Sequence, residues 1–364
     1  MPQKINIAFL ISSMDVGGAE KSTLTLINEL ANSNYNVYLF LLVKQGDFLR
    51  KISKKCRVID LNVKRTYRLP FKLHAALKLY NIKILVSNFW KLNLCSCITK
   101  VFTRDLALIL YEHSPPSRTS TSPKLLYMAI SSLLYPFASK IFAVSDYVKR
   151  DIQEITFGLN NKIVTMYNPV TPPKRAIEID KRMVKSEGLN LLFVGRLEPD
   201  KNVEIILESL KYVDSSVHIL RIVGDGSLRS ELNDKVRTLG LEEKVTFYGQ
   251  RSDVATFYEL SDILILSSHI EGLPTVAIEA LQYGIGIAAT PIPGGLREII
   301  SGGKYGTISM ENSPKSLANA IMSEAVREKS QKLQMEGASQ FRPDVIAESF
   351  ILEVNKLQLV RISE

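Results

Sequence analysis

The sequence predicts an α/β protein built from two doubly wound parallel-sheet domains. Short uninterrupted apolar runs, such as Ile263–Leu266, are typical of strands that are buried on both faces of a parallel sheet. Each run leads through a loop into apolar residues at helical spacing. The chain has 364 residues, a hydrophobic fraction of 46% and a charged fraction of 23%, which is enough for two globular domains with a core each.

The order of elements starts over in the second half of the chain. A first strand at Ile5–Ile11 leads through a glycine loop into a helix, and Leu191–Gly195 leads through a second loop into another helix. Between the halves, Thr171–Arg175 has the proline-rich composition of a linker. We therefore expect an N-terminal domain over residues 1–170 and a second domain that begins at residue 171.

Charge is distributed unevenly between the halves. Residues 1–170 hold 23 Lys+Arg against 10 Asp+Glu, a net charge of +13, and residues 171–364 hold 23 against 27, a net charge of −4. This asymmetry predicts that the first half meets an anionic surface, either lipid or nucleic acid. Nucleic acid is disfavoured because the basic residues are interspersed with apolar helices and no aromatic platform for single strands is visible.

The cysteines and apolar segments bear on the location of the protein. Three cysteines, Cys56, Cys95 and Cys97, form no metal-binding set and predict a reduced, cytoplasmic setting. The first apolar stretch is too short for a signal peptide, and the most lipid-like segment, residues 125–144, is interrupted by Pro136 and Lys140. Any membrane association is therefore expected to be peripheral.

Two segments of the basic half suit a membrane interface. Residues 70–80 place apolar side chains at helical spacing beside lysines, directly after Lys64-Arg65-Thr66-Tyr67-Arg68, and residues 124–138 have a similar character. An ordinary helix of an α/β layer, with a stripe facing the core, explains either segment equally well.

The second half contains a candidate anion site next to two carboxylates. After the strand Ile263–Leu266 comes Glu271-Gly272-Leu273-Pro274-Thr275, in which Pro274 is predicted to take the first position of a helix. Unpaired amides at a helix start beside the carboxyl end of a buried strand attract anions. Glu271 precedes this helix, and Glu279 lies about one turn inside it.

The first half contains a glycine loop and a histidine at predicted strand ends. Gly17 and Gly18 allow backbone amides to approach a phosphate closely, although a tight turn without a ligand is the alternative. The loop is not a P-loop, because Glu20 stands where that motif requires glycine, and no Gly-x-Gly-x-x-Gly is present. His113 follows a strand at Leu106–Leu110, where α/β folds bind ligands.

Several motifs together resemble those of a known family. Glu271-x7-Glu279 with Gly-Leu-Pro after the first glutamate, followed by Pro293-Gly294-Gly295-x-x-Glu298, resembles the signature of the retaining glycosyltransferases of the GT-B fold, glycosyltransferase family 4. Phe193-Val194-Gly195-Arg196-Leu197-x3-Lys201 is similar to the phosphate-binding pattern of that family. The resemblance is specific from Leu191 to Glu298 and thin between Lys44 and Asp105, where acceptor recognition is expected.

The resemblance implies a fold and a set of site residues. Two Rossmann-like domains, 1–170 and 171–343, would face a central cleft, and a C-terminal helix at 344–364 would cross back to the first domain. Glu271 and His113 would contact the donor sugar, and Glu279 would hold the ribose. The remaining binding residues are Arg196, Lys201, Gly17, Gly18, Gly272, Leu273 and Thr275 for the diphosphate, and Gln250 near the nucleobase.

The resemblance also implies a reaction and its partners. A sugar would move with retention of configuration from a nucleotide-sugar donor, UDP-linked by first expectation and GDP-mannose by second, without a metal ion and without a protein base. Family habit and the basic first half suggest a lipid-linked saccharide as acceptor at the inner face of a bacterial membrane, in surface polysaccharide or O-antigen assembly. The alternatives are a UDP-N-acetylglucosamine 2-epimerase, which shares the fold, a catalytically silent sugar-nucleotide sensor, and a nucleic-acid-binding protein.

Overall fold

A computed structural model describes residues 4–119, 124–156, 159–172, 188–213, 217–251, 253–327 and 331–362. The chain forms two compact units, the first made of Met1–Thr171 with Phe341–Glu364 and the second of Pro172–Gln340. Of the predicted linker Thr171–Arg175, the part from Pro173 onward lies outside the described residues.

The first unit is built on a parallel sheet. Its strands are β1 (Ile5–Ile11), β2 (Tyr35–Leu41), β3 (Arg57–Asp60), β4 (Ile84–Asn88), β5 (Ala107–Glu112), β6 (Lys140–Ala143) and β7 (Ile163–Thr165). They lie in the order β3-β2-β1-β4-β5-β6-β7, with every neighbouring pair parallel. The order reverses between β1 and β4, and ligands of such sheets bind outside the carboxyl ends of the strands at this switch point.

Helices cover both faces of this sheet. They are α1 (Gly18–Leu30), α2 (Leu69–Leu79), α3 (Trp90–Phe102), α4 (Pro116–Thr119), α5 (Lys124–Leu134), α6 (Asp146–Thr156) and a last helix, Pro343–Ile362. Short 3-10 turns occupy Asp47–Lys51, Thr66–Arg68, Tyr135–Phe137 and Asn160–Lys162. Ser145 caps α6, because its Oγ accepts a hydrogen bond from the amide of Val148 at 3.2 Å.

The last helix completes the core of the first unit. The ring of Phe350 stacks on Phe9 with centroids 5.9 Å apart and meets Phe142 edge to face at 5.7 Å. The ammonium group of Lys140 also pairs with the carboxylate of Glu353. Residues from the far end of the sequence therefore cover strands from its beginning.

The second unit repeats the same strand arrangement. Its strands are β8 (Leu189–Val194), β9 (Val217–Val223), β10 (Val245–Gly249), β11 (Ile263–Leu266), β12 (Gly286–Ala289) and β13 (Thr307–Ile308). Their order is β10-β9-β8-β11-β12-β13, all parallel, so the switch point falls between β8 and β11. The predicted fold class, two doubly wound parallel-sheet domains, is confirmed.

The helices of the second unit connect these strands. They are α7 (Val203–Ser209), α8 (Arg229–Thr238), α9 (Ala255–Glu259), α10 (Thr275–Tyr283), α11 (Leu296–Ile299), α12 (Pro314–Val326) and α13 (Gln331–Gly337); the last helix is α14. Pro199–Lys201, Ser301–Gly303 and Ser339–Phe341 are 3-10 turns, the last of them spanning the boundary of the two units. No described helix is both long and apolar enough to cross a membrane.

The strands predicted at Leu106–Leu110 and Leu191–Gly195 are present with shifted ends, as β5 and β8, and the predicted start of α10 is wrong. Pro274 was expected at the first position of α10, but the helix begins at Thr275. The backbone of Pro274 is extended, with ψ of 96°, and proline fixes only φ, so its ring is compatible with either position.

Candidate functional site

The loops that follow β8 and β11 form the centre of the candidate site in the second unit. These strands are neighbours in the sheet, so their carboxyl ends lie side by side. Ser267 donates a hydrogen bond from Oγ to the carbonyl of Lys201 at 2.8 Å, and the amide of His269 donates to the carbonyl of Asp200 at 2.9 Å. Two loops distant in sequence are therefore held together at the switch point.

Lys201 and Glu271 form an ion pair between these two loops. Lys201 Nζ lies 2.6 Å from Glu271 Oε1, and Ser268 Oγ donates to the same oxygen at 2.7 Å. Lys201 Nζ is also 3.6 Å from Asp200. The paired side chains are only 17% and 18% exposed, so little water screens the interaction. The structure thus brings together two residues that the sequence predicted for one site.

The backbone of Glu271 is fixed by the turn at residues 293–295. The amide of Glu271 donates to the carbonyl of Pro293 and the amide of Gly295 donates to the carbonyl of Gly272, both at 3.0 Å. Gly294 has a φ of +145°, and a Cβ atom there would lie 2.0 Å from the carbonyl oxygen of Glu271. Only glycine permits this approach, which gives the Pro-Gly-Gly motif a physical role in placing Glu271.

Helix α10 begins at Thr275, shortly after Glu271 in the chain. Its N-cap residue is Pro274, which provides no side-chain hydrogen bond to the first turn. The first turn carries the partial positive charge of a helix start, and within it the amide of Ala277 donates to the carbonyl of Pro274 at 3.0 Å. Of the predicted contributors, Gly272 and Leu273 lie in the loop before this helix, and Thr275 is its first residue.

Glu279 lies inside α10 and is buried. Its Oε2 accepts a hydrogen bond from the hydroxyl of Tyr258 at 2.8 Å, and Tyr258 stacks on Tyr283 with ring centroids 5.1 Å apart. Burial, together with the negative charge of Glu279, raises the pKa of Tyr258 well above its ordinary value. The phenol therefore remains a protonated donor that orients the carboxylate.

The other predicted residues of the second unit are more exposed. The side chain of Arg196 is 69% exposed and lies 3.4 Å from Asp200. Gln250 is exposed and follows β10, the edge strand of the sheet, while the neighbouring Arg251 is held by Asp253 through two hydrogen bonds of 3.0 Å. Neither Arg196 nor Gln250 is fixed in place as Lys201 is.

In the first unit, His113 lies beside the switch point between β1 and β4. Its Nε2 is 2.9 Å from Asn88 Oδ1, at the end of β4, and Asn88 Nδ2 donates to the carbonyl of Leu10 at 3.1 Å. Because the amide nitrogen of Asn88 is used in this way, its oxygen faces the imidazole, and we assign the ring proton to Nε2. Tyr111 and Phe89 pack on the ring, with centroids 4.7 and 5.3 Å away.

Two titratable groups in this part of the first unit have shifted pKa values. Burial lowers the pKa of His113 to about 4, and the nearby side chain of Asn168 raises that pKa by a smaller amount. The imidazole is therefore neutral at pH 7. Burial raises the pKa of the adjacent Glu112 to about 7, although its carboxylate accepts hydrogen bonds from Tyr135 and from Asn93, the latter at 2.8 Å.

The space beside Gly17 and Gly18 in the first unit is occupied by a side chain of the protein. Gly17 is the N-cap residue of α1, and Gly18 is its first residue. A Cβ atom at Gly17 would lie 2.1 Å from Glu20 Oε2, so the carboxylate of Glu20 occupies the space that glycine leaves. The close approach predicted for a phosphate is made here by a carboxylate of the chain itself.

Sequence reasoning missed three residues that position the predicted ones. Asn88 binds His113, Tyr258 binds Glu279 and Ser268 binds Glu271. Ser268 and Asn88 lie at or just beyond strand ends, which is a usable signal, whereas nothing in the local sequence marks Tyr258. Among the described residues, no group of three or more His, Cys, Asp or Glu side chains is placed to hold a metal ion.

Two family models match the chain. The model described as "Glycosyl transferases group 1" matches residues 175–338, and the model described as "Glycosyltransferase Family 4" matches residues 16–173. The two matches meet within the predicted linker and together leave only the ends of the chain and residue 174 uncovered.

Relatives with named activities are similar over most of their length. One is the GalNAc-alpha-(1->4)-GalNAc-alpha-(1->3)-diNAcBac-PP-undecaprenol alpha-1,4-N-acetyl-D-galactosaminyltransferase of Campylobacter jejuni, 28% identical over 81% of this chain and 82% of the relative. Another is the amylovoran biosynthesis glycosyltransferase AmsD of Erwinia amylovora, 25% identical over 91% of this chain and 93% of the relative.

A solved structure has a similar fold. HepE of Anabaena, in complex with UDP-glucose, matches with a TM-score of 0.82 over 97% of this chain and 100% of that protein, at 20% sequence identity. At this level of identity the similarity concerns the fold.

Proposed function

Since the chain belongs to the group 1 glycosyltransferases of the GT-B fold, we propose that it transfers a sugar from a nucleotide-sugar to a hydroxyl of a lipid-linked glycan. The favoured donor is a UDP-sugar, and the sugar is transferred with retention of its anomeric configuration. The proposed role is in bacterial surface polysaccharide or O-antigen assembly. Support comes from the named relatives, one acting on a PP-undecaprenol-linked saccharide and one in amylovoran synthesis, and from HepE, which binds UDP-glucose.

The observation that carries the proposal is the Lys201–Glu271 pair beside the uncapped start of α10. A departing nucleoside diphosphate gains negative charge as its bond to the sugar breaks. Lys201, Arg196 and the first-turn amides of α10 are the positive groups that would stabilise this charge. With these cations present we also propose that the reaction needs no metal ion, so that EDTA leaves the rate unchanged.

The two glutamates have separate tasks in this proposal. Glu271 contacts hydroxyls of the donor sugar or stabilises positive charge at its ring, while Lys201 and Ser268 hold its carboxylate in place. Glu279 accepts hydrogen bonds from the ribose hydroxyls, and Tyr258 fixes its orientation. No protein base is assigned, since the departing phosphate would take the proton of the acceptor hydroxyl.

In the first unit, the proposed role of His113 depends on its lowered pKa, and that of Gly17 and Gly18 depends on the position of Glu20. His113 is neutral at pH 7, so its contact with the donor sugar is a hydrogen bond or a packing contact and not proton donation by an imidazolium. Anion binding at Gly17 and Gly18 requires the carboxylate of Glu20 to move away, because like charges repel at short distance.

Membrane association is proposed from the net charge of +13 in residues 1–170. We expect the protein to float with phosphatidylglycerol vesicles at low ionic strength and to be released at high salt, where charges are screened. Vesicles of phosphatidylcholine are the matched control. A protein that ignores anionic vesicles at low salt would show this part of the proposal to be wrong.

A thermal-shift screen tests the central claim. UDP, UDP-sugars and GDP-mannose are added to the wild type, to Glu279→Gln and to Glu311→Gln, a control at an exposed glutamate of the same unit. We expect one nucleotide to raise the melting temperature of the wild type and the control by mass action, and to raise that of Glu279→Gln less. If no nucleotide stabilises the wild type, the proposal fails.

Turnover then separates the alternative activities. An epimerase would convert UDP-N-acetylglucosamine without any acceptor, and a sensor would bind UDP without turnover in any acceptor screen. The proposed enzyme forms a new glycosidic bond only when a lipid-linked saccharide is present.

A further inference from the structure

A cationic pocket lies at the edge of the first unit, in and around the basic residues 64–68, and none of the candidate site residues lines it. It follows the carboxyl end of β3, where the chain turns into α2, and has a volume of about 470 Å³. This is within the usual range for a small-ligand pocket. Its lining residues are Asn62, Val63, Lys64, Arg65, Arg68 and Lys72.

The four cations of this pocket carry uncompensated charge. Among the residues that the structure describes, none of Lys64, Arg65, Arg68 and Lys72 is within ion-pair distance of a carboxylate. Lys72 is held by the chain itself, since its Nζ donates to the carbonyls of Leu61 at 3.0 Å and Asn62 at 2.7 Å. One ammonium group is thus fixed in the pocket wall without an anion to neutralise it.

The two arginines select for a particular kind of anion. A guanidinium group presents paired N–H donors that match phosphate oxygens, and four positive charges around one pocket suit a ligand with more than one negative charge. A diphosphate has the required charge density and several acceptor oxygens. The most direct contact that Arg65 makes is a long one, 3.5 Å from Nη1 to the hydroxyl of Tyr67.

Exposed apolar side chains alternate with these cations. Tyr67 stands between Arg65 and Arg68 and is 62% exposed, and Phe71 stands between Arg68 and Lys72 and is 76% exposed. Leu79 on the same helix and Phe102 on α3 are also largely exposed. Helix α2 contacts the residue that ends α3, because His74 Nδ1 lies 2.8 Å from Thr103 Oγ1. An anionic headgroup attached to an apolar chain would find cations in the pocket and exposed aromatic side chains, Tyr67 and Phe71, next to those cations in the sequence.

We propose that this pocket binds the diphosphate that links the acceptor saccharide to its lipid, with Tyr67 and Phe71 against the first part of the lipid chain. The inference rests on the proposed function and adds to it a defined subsite for the acceptor. A site here would hold the lipid end of the acceptor through charge, independently of which saccharide it carries.

Binding is tested with farnesyl diphosphate, farnesol and inorganic diphosphate by titration calorimetry, all in saturating UDP so that any nucleotide site is occupied. The variant is Arg65→Gln/Arg68→Gln. The control is Arg50→Gln/Arg150→Gln, which removes two exposed arginines of the same unit that lie outside the pocket. We expect farnesyl diphosphate to bind the wild type and the control equally and the pocket variant at least about tenfold more weakly, and farnesol not to bind.

Other results would overturn the proposal. Equal binding by the pocket variant, or equal loss in both double variants, would show general charge attraction. Inorganic diphosphate binding as tightly as farnesyl diphosphate would show a site for a soluble anion. A single-stranded oligonucleotide that depends on Arg65 and Arg68 more strongly than farnesyl diphosphate does would indicate nucleic acid as the partner.

Stability and transfer assays separate this inference from the proposed function. A pocket variant that is still stabilised by UDP is folded, so its loss of farnesyl diphosphate binding belongs to the pocket. In transfer assays the KM for the lipid-linked acceptor should rise at least about tenfold while the KM for the donor stays unchanged. If no nucleotide binds the wild type, the proposed function fails, yet the calorimetry still decides whether the pocket takes a diphosphate.

Discussion

The imidazole of His113 should remain neutral far below the ordinary pKa of histidine. Its pKa of about 4 results from burial between Tyr111 and Phe89. Titration of the ring protons by NMR should therefore show no charge change at His113 between pH 8 and pH 5. A midpoint between pH 6 and 7 would contradict the assigned environment.

The same shift links His113 to stability. Between pH 6.5 and about 4 the unfolded chain binds a proton at this histidine that the folded chain does not, so its contribution is present above pH 6.5 and is lost as the pH falls. Glu112 has the opposite effect on the free energy of unfolding. Because its pKa is raised to about 7, the folded chain keeps a proton that the unfolded chain has lost, so its contribution to stability falls as the pH rises toward 7. The test is the free energy of unfolding of the wild type and of His113→Gln, measured between pH 8 and pH 4. We expect the wild type to be the more stable protein at pH 8 and its advantage over the variant to shrink toward pH 4.

Replacing Lys201 should harm both stability and activity. Lys201→Met removes the partner of a largely buried carboxylate at 2.6 Å, which we expect to cost about 1–3 kcal/mol of unfolding free energy and roughly 10²–10³ in transfer rate. Denaturant unfolding and a transfer assay measure the two effects.

The control for this prediction is Lys235→Met. Lys235 also lies near two carboxylates, 2.5 and 2.6 Å away, but those are more exposed, so less than about 1 kcal/mol should be lost and activity should be kept. If Lys201→Met and Lys235→Met lost the same unfolding free energy and the same transfer rate, the Lys201–Glu271 pair would be no different from an ordinary surface ion pair.

At the scale of elements, the turn at residues 293–295 should tolerate no side chain at Gly294. Gly294→Ala must relieve a contact of 2.0 Å with the carbonyl of Glu271 at a φ of +145°, and we expect a cost of about 3 kcal/mol or more together with a displaced Glu271. Gly302→Ala is the control, since Gly302 has a φ of +66° and nothing within 4 Å of its Cβ position, so only about 1 kcal/mol should be lost. Urea unfolding curves of both variants decide the comparison.

Elements of this type could be predicted because their signals are local. The run Ile263–Leu266 and the glycine-proline loop after it lie within a dozen residues, and the structure contains the strand at those residues and a helix that begins one residue later than predicted. The placement of Pro274 failed because its φ is compatible with both sides of a helix boundary.

The supporting contacts could not be predicted in the same way. Tyr258 is 21 residues before Glu279, and Asn88 is 25 residues before His113, so each pair depends on how strands and helices pack. The carboxylate of Glu20 over Gly17 illustrates the same limit, because glycine in a loop indicates only that space is needed and not which group fills it.

At the scale of the whole molecule, α14 should stabilise strands that lie at the other end of the sequence. Phe350 is fully buried against Phe9 and Phe142, so Phe350→Ala should cost about 3–5 kcal/mol. Leu352→Ala on the same helix is the control; Leu352 is 58% exposed, and its replacement should change the unfolding free energy by no more than about 0.5 kcal/mol. Thermal unfolding of both variants tests the difference, and equal melting temperatures would contradict the packing.

The position of α14 has a consequence for synthesis on the ribosome. Strands β1 to β7 are translated first, yet the helix that covers Phe9 and Phe142 is made only after the whole segment Pro172–Gln340. At a translation rate of roughly 5–20 residues per second, Phe9 and Phe142 remain without the packing contact of Phe350 for on the order of ten seconds or more. During that interval the nascent first unit exposes aromatic surface, so it is the stage of biogenesis at which we expect chaperones to engage this chain.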